Sequence, residues 1–567
     1  MRDLLFRVAG LVLILFCTPV AAAIRPESSD QPIDYELRPV FHQSGLREVR
    51  VQVRLRADAD GTTVLDLPDS YGGVKEHWRY LSALQVDGGK VEAPEPARRL
   101  IRSAPRAPLS VRYTVRSAYP ADPDAAGANP YNGAVIRPAW FASLGEFLFA
   151  APEGRGAEAA RLRWRGWPAS WKRQSSAERA GPTVDALVES SFLAGPDVEL
   201  RTRPIRGGTL RLASRGKFGW SLDRYADQVA AVINAQRAFW KDADGNYSVS
   251  LFKLAPAGGV SSTGGTGRAH GFVQYASDDT EPDILFRVLA HEHAHNWIPR
   301  QIGNPPEGDG SASLFWLSEG FTDFYTARTL LRAGLWTPKQ FADDLNRALV
   351  GVSGSAIAQA PNSQIAAEFW KDPAIGQLPY DRGHLFAHLL DYRLRQEGKG
   401  GLDDILAAMQ ARWRAAPPSA KPELLSNFLA VLDARGFDAR ELIAARIEKG
   451  EAIVLPSDLL GDCGSVVQAV IPLFDPGFDR EASARAGAFV GVDKHGRAYA
   501  AGLRDGMQRV ARLGGAEGDS RVPLSYRVRD SAGERVLSWL PQGRAWVTLQ
   551  EVRLRDEGQA CRTLASR

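Results

Sequence analysis

Thr280-Glu281-Pro282-Asp283, followed by Ile284-Leu285-Phe286-Arg287-Val288-Leu289-Ala290 and then by His291-Glu292-His293-Ala294-His295, is the stretch on which the reading of this chain turns. Proline in a first turn with acids around it is a helix start, and the apolar run that follows holds no turn residue. On a helix, positions four apart share a face, so His291 and His295 can both direct a ring nitrogen at one zinc ion. Glu292, one residue along, is poorly placed as a ligand but can reach a water whose pKa the zinc lowers, and can take its proton. Nine histidines in the chain make an accidental His-Glu-x-x-His rare, on the order of one in a hundred such chains. The alternation of His291, His293 and His295 also permits a strand with all three on one side; the helix start and the absence of turn residues favour the helix. His293 then lies about 200° round from His291 and reads as a packing or hydrogen-bonding residue.

A catalytic zinc takes three protein ligands and keeps one position open. The third candidate is Glu319 in Trp316-Leu317-Ser318-Glu319-Gly320-Phe321-Thr322-Asp323, on a second helical pattern. Between the two patterns, Gly303-Asn304-Pro305-Pro306-Glu307-Gly308-Asp309-Gly310 is a loop that lets the helices return antiparallel. Asp323, one turn after Glu319, can face the same side and orient a ligand imidazole. One zinc ion per chain is therefore expected, on His291, His295 and Glu319.

Around this core the 567 residues are 44% hydrophobic and 24% charged, the average of soluble globular proteins, which excludes disorder and a polytopic membrane protein. With 70 Lys and Arg against 66 Asp and Glu, charge implies no nucleic-acid partner. The leader has Arg2 and Arg7, an apolar Val8 to Phe16 and then Ala21-Ala22-Ala23. That layout is a secretory signal peptide over residues 1–23, its apolar run well short of the ~20 residues that span a bilayer. A secreted or periplasmic protein without a stable membrane span follows, with Cys463 and Cys561 left as a plausible disulfide.

Residues 24–216 read as a β-rich, sandwich-like domain, because Val49, Val51, Val53 and Leu55 alternate with polar neighbours, as do Leu109, Val111, Tyr113 and Val115. Residues 217–452 read as a mostly helical domain after one strand at Tyr247 to Leu254. The clearest helical patterns are Leu222 to Phe239, Pro282 to Arg300, Leu314 to Arg332, Tyr380 to Arg395, Leu402 to Trp413 and Lys421 to Arg435. Residues 453–567 turn back to short β patterns. The expected architecture is a multidomain α+β chain.

His-Glu-x-x-His followed after 23 residues by Glu319, with Asn296 and Trp297 after the second ligand histidine, resembles the glycyl aminopeptidase family of gluzincin metallopeptidases. The resemblance implies a β-rich N-terminal domain, a thermolysin-like catalytic domain and a C-terminal PDZ domain. Tyr380-Asp381-Arg382-Gly383 is similar to the family's Tyr-x-x-Gly helix, which makes Tyr380 the candidate stabiliser of the oxyanion. Gly491-Val492-Asp493 and Ala500-Ala501-Gly502-Leu503-Arg504-Asp505-Gly506-Met507 resemble a PDZ segment. One departure stands out: the glycine-rich segment Gly258 to His270 holds no Asp or Glu to grip a free amine. It reads as a flexible groove wall, with Gly264, Gly265 and Thr266 offering backbone groups to an extended peptide. The expected function is a zinc peptidase, with aminopeptidase action the mode that the resemblance implies. The alternatives are a PDZ-type polypeptide-binding protein with a vestigial metalloprotease core and a zinc hydrolase of a non-peptide bond. Oligomeric state is left open.

Overall fold

Alternation builds the N-terminal layers. In strand Gly45–Arg56, Val49, Val51, Val53 and Leu55 are buried while Arg50, Arg54 and Arg56 face solvent, as period two requires of a sheet with one wet face. The computed structural model describes residues 31–555 and 561, apart from 72–73, 128, 179–181, 258–260, 269, 279, 281, 307, 356, 372 and 517. The leader thus lies outside the described residues, as do Gly258 to Val260 of the glycine-rich segment.

Strand Gly45–Arg56 sits between Ile33–His42 and Pro108–Arg116 in a five-stranded sheet. Two four-stranded sheets, one containing Thr62–Asp66 and one containing Trp140–Leu144, share its apolar core.

The next sheet carries the central domain. Its strands are β1 (Val198–Ile205), β2 (Gly208–Arg215), β3 (Tyr247–Lys253), β4 (Thr263–Arg268) and β5 (Gly271–Ala276), in the order β1-β2-β3-β5-β4. β1 and β2 precede the sequence-read boundary at residue 216, and β2 pairs in parallel with β3, so the sheet crosses that boundary. A parallel pair needs a crossover. Helix α1 (Leu222–Phe239) provides it, capped by the Ser221 side chain on the Arg224 N–H. Tyr225, Val229 and Ile233 of α1 pack with Val249 and Leu251 of β3.

β4 corrects the expectation of a flexible wall. Thr263–Arg268 is a strand, antiparallel to β5 at the sheet edge, and all six residues are buried. Gly265 is required by close approach: a Cβ there would lie 2.3 Å from the Phe272 ring.

Helix α2 (Pro282–Ala294) stops six residues before the expected Arg300. Pro299 has no N–H to extend the ladder, and residues 295–300 form turns instead. Then follow α3 (Phe315–Arg332), α4 (Pro338–Ser353), α5 (Leu378–Gln396), α6 (Leu402–Ala415) and α7 (Leu424–Ala434). α4 was not singled out in the sequence, although Thr337 and Gln340 form a capping box around Pro338.

In the C-terminal region β6 (Gly464–Phe474) pairs antiparallel with β7 (Gln542–Leu554), beside a three-stranded sheet made by Gln508–Gly514, Leu524–Asp530 and Gly533–Trp539. Cys463 and Cys561 form a disulfide. The bridge lies in one core with Phe341, Leu345 and Leu349 of α4 and Val552 of β7. Asn346 of α4 also clamps the Val552 backbone, its Nδ2 donating to the carbonyl at 3.0 Å and its Oδ1 accepting the N–H at 2.7 Å. No helix among the described residues is long and apolar enough to cross a membrane.

Candidate metal centre

Two helices carry the ligating atoms and a third closes the site. α3 and α5 cross backbone to backbone, since a Cβ on Gly383 would stand 2.0 Å from the Trp316 carbonyl and one on Gly320 would stand 2.3 Å from Gly383. That contact brings Tyr380, one turn before Gly383, to the level of Glu319.

His291, His295 and Glu319 converge. His291 Nε2 and His295 Nε2 lie 3.3 and 3.2 Å from Glu319 Oε2 and 3.2 Å from each other. Two donors about 2.0–2.1 Å from one tetrahedral ion stand ~3.3 Å apart, so the spacing fits zinc. The tautomers fit as well. His291 Nδ1–H donates to Asp323 Oδ1 at 2.8 Å and His295 Nδ1–H donates to the Ile298 carbonyl at 2.8 Å. Both acceptors can only accept, so each imidazole in its neutral form turns its Nε2 lone pair into the site.

The local field also calls for a cation. Burial would lower the His291 imidazole, but hydrogen bonds to Asp323 and Glu319 hold it up at about 10. Burial would raise the Glu319 carboxyl, yet His295 and His291 keep it down at about 2. Positive charge is thus stabilised where the three donors meet. Among the described residues this is the only group of three or more His, Cys, Asp or Glu side chains with metal-ligating spacing.

Glu292 stands beside the donors without joining them. Its Oε2 accepts the Gly267 N–H of β4 at 3.0 Å. Burial raises its pKa, with His295 and His291 opposing. Tyr380 inclines its ring over His291, centroids 5.9 Å apart. Burial, then Glu319 and Glu292, hold its hydroxyl protonated well above the ordinary range, so it is a donor.

His293 points away from the donors. It packs against Tyr247 and Trp297, bonds Gln236 Oε1 at 2.6 Å, and burial pushes it down to about 3. Trp297 stacks on Trp240 and donates to Asp242 at 2.8 Å.

Gly264, Gly265 and Thr266 lie on β4, whose Gly267 touches Glu292. Thr266 Oγ1 is 2.8 Å from the Tyr71 hydroxyl of the N-terminal layers. Arg268 binds that hydroxyl at 2.7 Å and the Glu146 carboxylate. The sequence did not single out Gly267, Tyr71, Glu146 or Arg268. Only the glycine-rich composition hinted at the first, and the others join the site region through contacts remote in sequence.

Residues 285–372 match the family model described as M61 glycyl aminopeptidase, a segment that holds His291, Glu292, His295, Glu319 and Asp323. The resemblance read from the motifs is borne out there: this segment is gluzincin-like. An aminopeptidase N family protein from Idiomarina loihiensis has a similar fold, with TM-score 0.67 and 16% identity over 93% of this chain and 98% of that one. An M1 zinc metallopeptidase from Deinococcus radiodurans is similar over 75% of this chain and 95% of its own, at TM-score 0.46 and 17% identity. No curated protein matches the sequence.

Proposed function

We propose that this chain is a zinc-dependent peptidase, with aminopeptidase action as its expected mode. The observation that carries the reading is the convergence of His291 Nε2, His295 Nε2 and Glu319 Oε2 at 3.2–3.3 Å, with the Glu292 carboxylate fixed beside them. His291, His295 and Glu319 would hold zinc, and when bound it would supply a Lewis acid that brings a water's pKa towards neutrality. Gly267 fixes Glu292 Oε2 and leaves Oε1 to take the proton from the attacking water and later return it to the leaving amine. Tyr380 donates its hydroxyl hydrogen to the oxygen of the scissile carbonyl as negative charge develops there. Asp323 and the Ile298 carbonyl keep the ligand imidazoles in one tautomer throughout.

β4 is an edge strand, so Gly264, Gly265 and Thr266 are positioned to pair with an extended peptide by strand addition. The match over residues 285–372 supports peptide as the substrate class. The disulfide and the leader-like residues 1–23 support secretion or a periplasmic location. Residues 453–567 are assigned a PDZ-like role on the glycine motifs quoted above.

Glu292→Gln tests the mechanism: zinc stays at one per chain while hydrolysis falls by roughly 10²–10⁴. Full activity in that variant refutes it. Chelator-sensitive cleavage of free and N-terminally blocked peptides then decides the mode, because only an aminopeptidase loses its substrate on blocking. Purified protein without stoichiometric zinc would instead support the polypeptide-binding reading.

A further inference from the structure

Behind the metal donors lies a buried ionic cluster that the reaction itself does not touch. Asp323 faces Arg287 Nη2 at 3.1 Å and Arg347 Nη2 at 3.9 Å; Arg287 also donates to Asp344 at 2.8 Å. Asp323, Asp344 and Asp381 are all buried. The Arg347 side chain is partly exposed, but its Nη2 is buried and makes no hydrogen bond, facing Asp323 Oδ2 by charge alone.

Arg347 has a position no other residue of the cluster shares. From α4 it reaches Asp323 on α3, which orients His291, and its Nη1 donates at 2.8 Å to Asp381 on α5, the residue next to Tyr380. Its Nε faces Asp344 of its own helix at 3.3 Å. A planar guanidinium can serve several carboxylates from fixed directions, whereas an ammonium is a single point charge.

We propose that Arg347 is a positioning residue that sets the metal ligand His291 and the oxyanion donor Tyr380 in register, by facing Asp323 with the charge of one nitrogen and hydrogen-bonding Asp381 with another. The inference rests on the peptidase reading, and deepens it by naming what keeps its two halves aligned. α4 is itself seated between this cluster and β7, so Arg347 works from a braced helix.

The test uses the full chain and two readouts, zinc affinity by chelator competition and kcat against KM on a peptide at saturating zinc. Arg347→Met should weaken zinc binding by about 10- to 100-fold, the range for partners of metal ligands, and lower kcat by about tenfold with KM moved less than twofold. Asp381→Asn should lower kcat alone and leave zinc affinity within twofold. Arg347→Lys should recover part of either loss. Lys339→Ala, which breaks only the exposed Lys339–Asp343 pair of α4, should change neither. Leu345→Ala, in the apolar face of α4, supplies the control for lost stability: it should lower Tm without the paired losses.

Arg347→Met with both zinc affinity and kcat within twofold of wild type overturns the inference. So does Leu345→Ala reproducing both losses at an equal cost in Tm, because the role is then merely structural. A wild type that binds zinc but cleaves no peptide sinks the peptidase reading, and the zinc arm still decides whether Arg347 supports His291.

Discussion

Two histidine pairs in this molecule have the same spacing and different fates. His291 on α2 and His295, one residue past its end, bring their Nε2 atoms to 3.2 Å, and His384 and His388 on α5 bring theirs to 3.1 Å. In the first pair both Nδ1–H groups are tied to acceptors and a carboxylate, Glu319, meets both Nε2 atoms. In the second, His384 Nδ1 makes no hydrogen bond and only faces Asp344 Oδ2 at 3.8 Å, no carboxylate among the described residues bridges the two Nε2 atoms, and these satisfy each other, one donating and one accepting. Phe324 and Phe341 flank His388, and burial holds His384 down at about 4. Spacing alone therefore does not define a metal site. A locked tautomer and an anionic third donor do.

The largest effect is expected from removing that donor. Glu319→Gln makes the first pair resemble the second; zinc should fall below stoichiometry by metal analysis, and peptide hydrolysis by at least roughly 10³, since the metal contributes several kcal/mol to the transition state. Tyr380→Phe leaves the donors intact and should lower kcat by about 10²–10³, the range for one oxyanion donor; an unchanged kcat removes Tyr380 from the reaction. Asp323→Asn unlocks one tautomer and should weaken zinc by about 10- to 100-fold in a chelator competition. The smallest effect belongs to the second pair. His384→Gln should leave zinc at one per chain and change only the pH dependence of stability. With the folded-state pKa of His384 near 4 and its ordinary value near 6.5, the unfolded chain binds more protons between those limits. Stability then falls as pH is lowered from about 6.5 to 4, by up to ~1.4 kcal/mol per pH unit for one group. Urea melts across that window should show a shallower slope in the variant, and an unchanged slope counts against a neutral buried His384.

What could be read in the sequence follows the range of the interactions involved. His291, Glu292, Glu319 and Asp323 sit at helical intervals on two neighbouring helices, and His295 follows in the turn directly after the first, so periodicity alone places them together. Leu222–Phe239 was legible for the same reason, from its apolar stripe. β4 was not, because a strand with glycine at 264, 265 and 267 has no side-chain alternation to read, and its glycines answer to Phe272, Tyr275 and Glu292 across space. α4 had a readable start at Thr337-Pro338, but the importance of Arg347 depends on Asp323 and Asp381, which reach it only through the packing of α3 and α5. Burial of Arg268 against Tyr71 and Glu146 likewise joins residues more than a hundred positions apart.

The Asn346 clamp on Val552 joins residues 206 positions apart. A growing chain emerges from the ribosome N-terminus first, so every donor of the candidate metal centre is synthesised well before the strand that seats the helix bearing Arg347. During that interval α4 lacks one of its two walls. The order of synthesis thus delays final bracing of the candidate site until β7 has been made, and a nascent chain carries its donors unbraced past its neighbours.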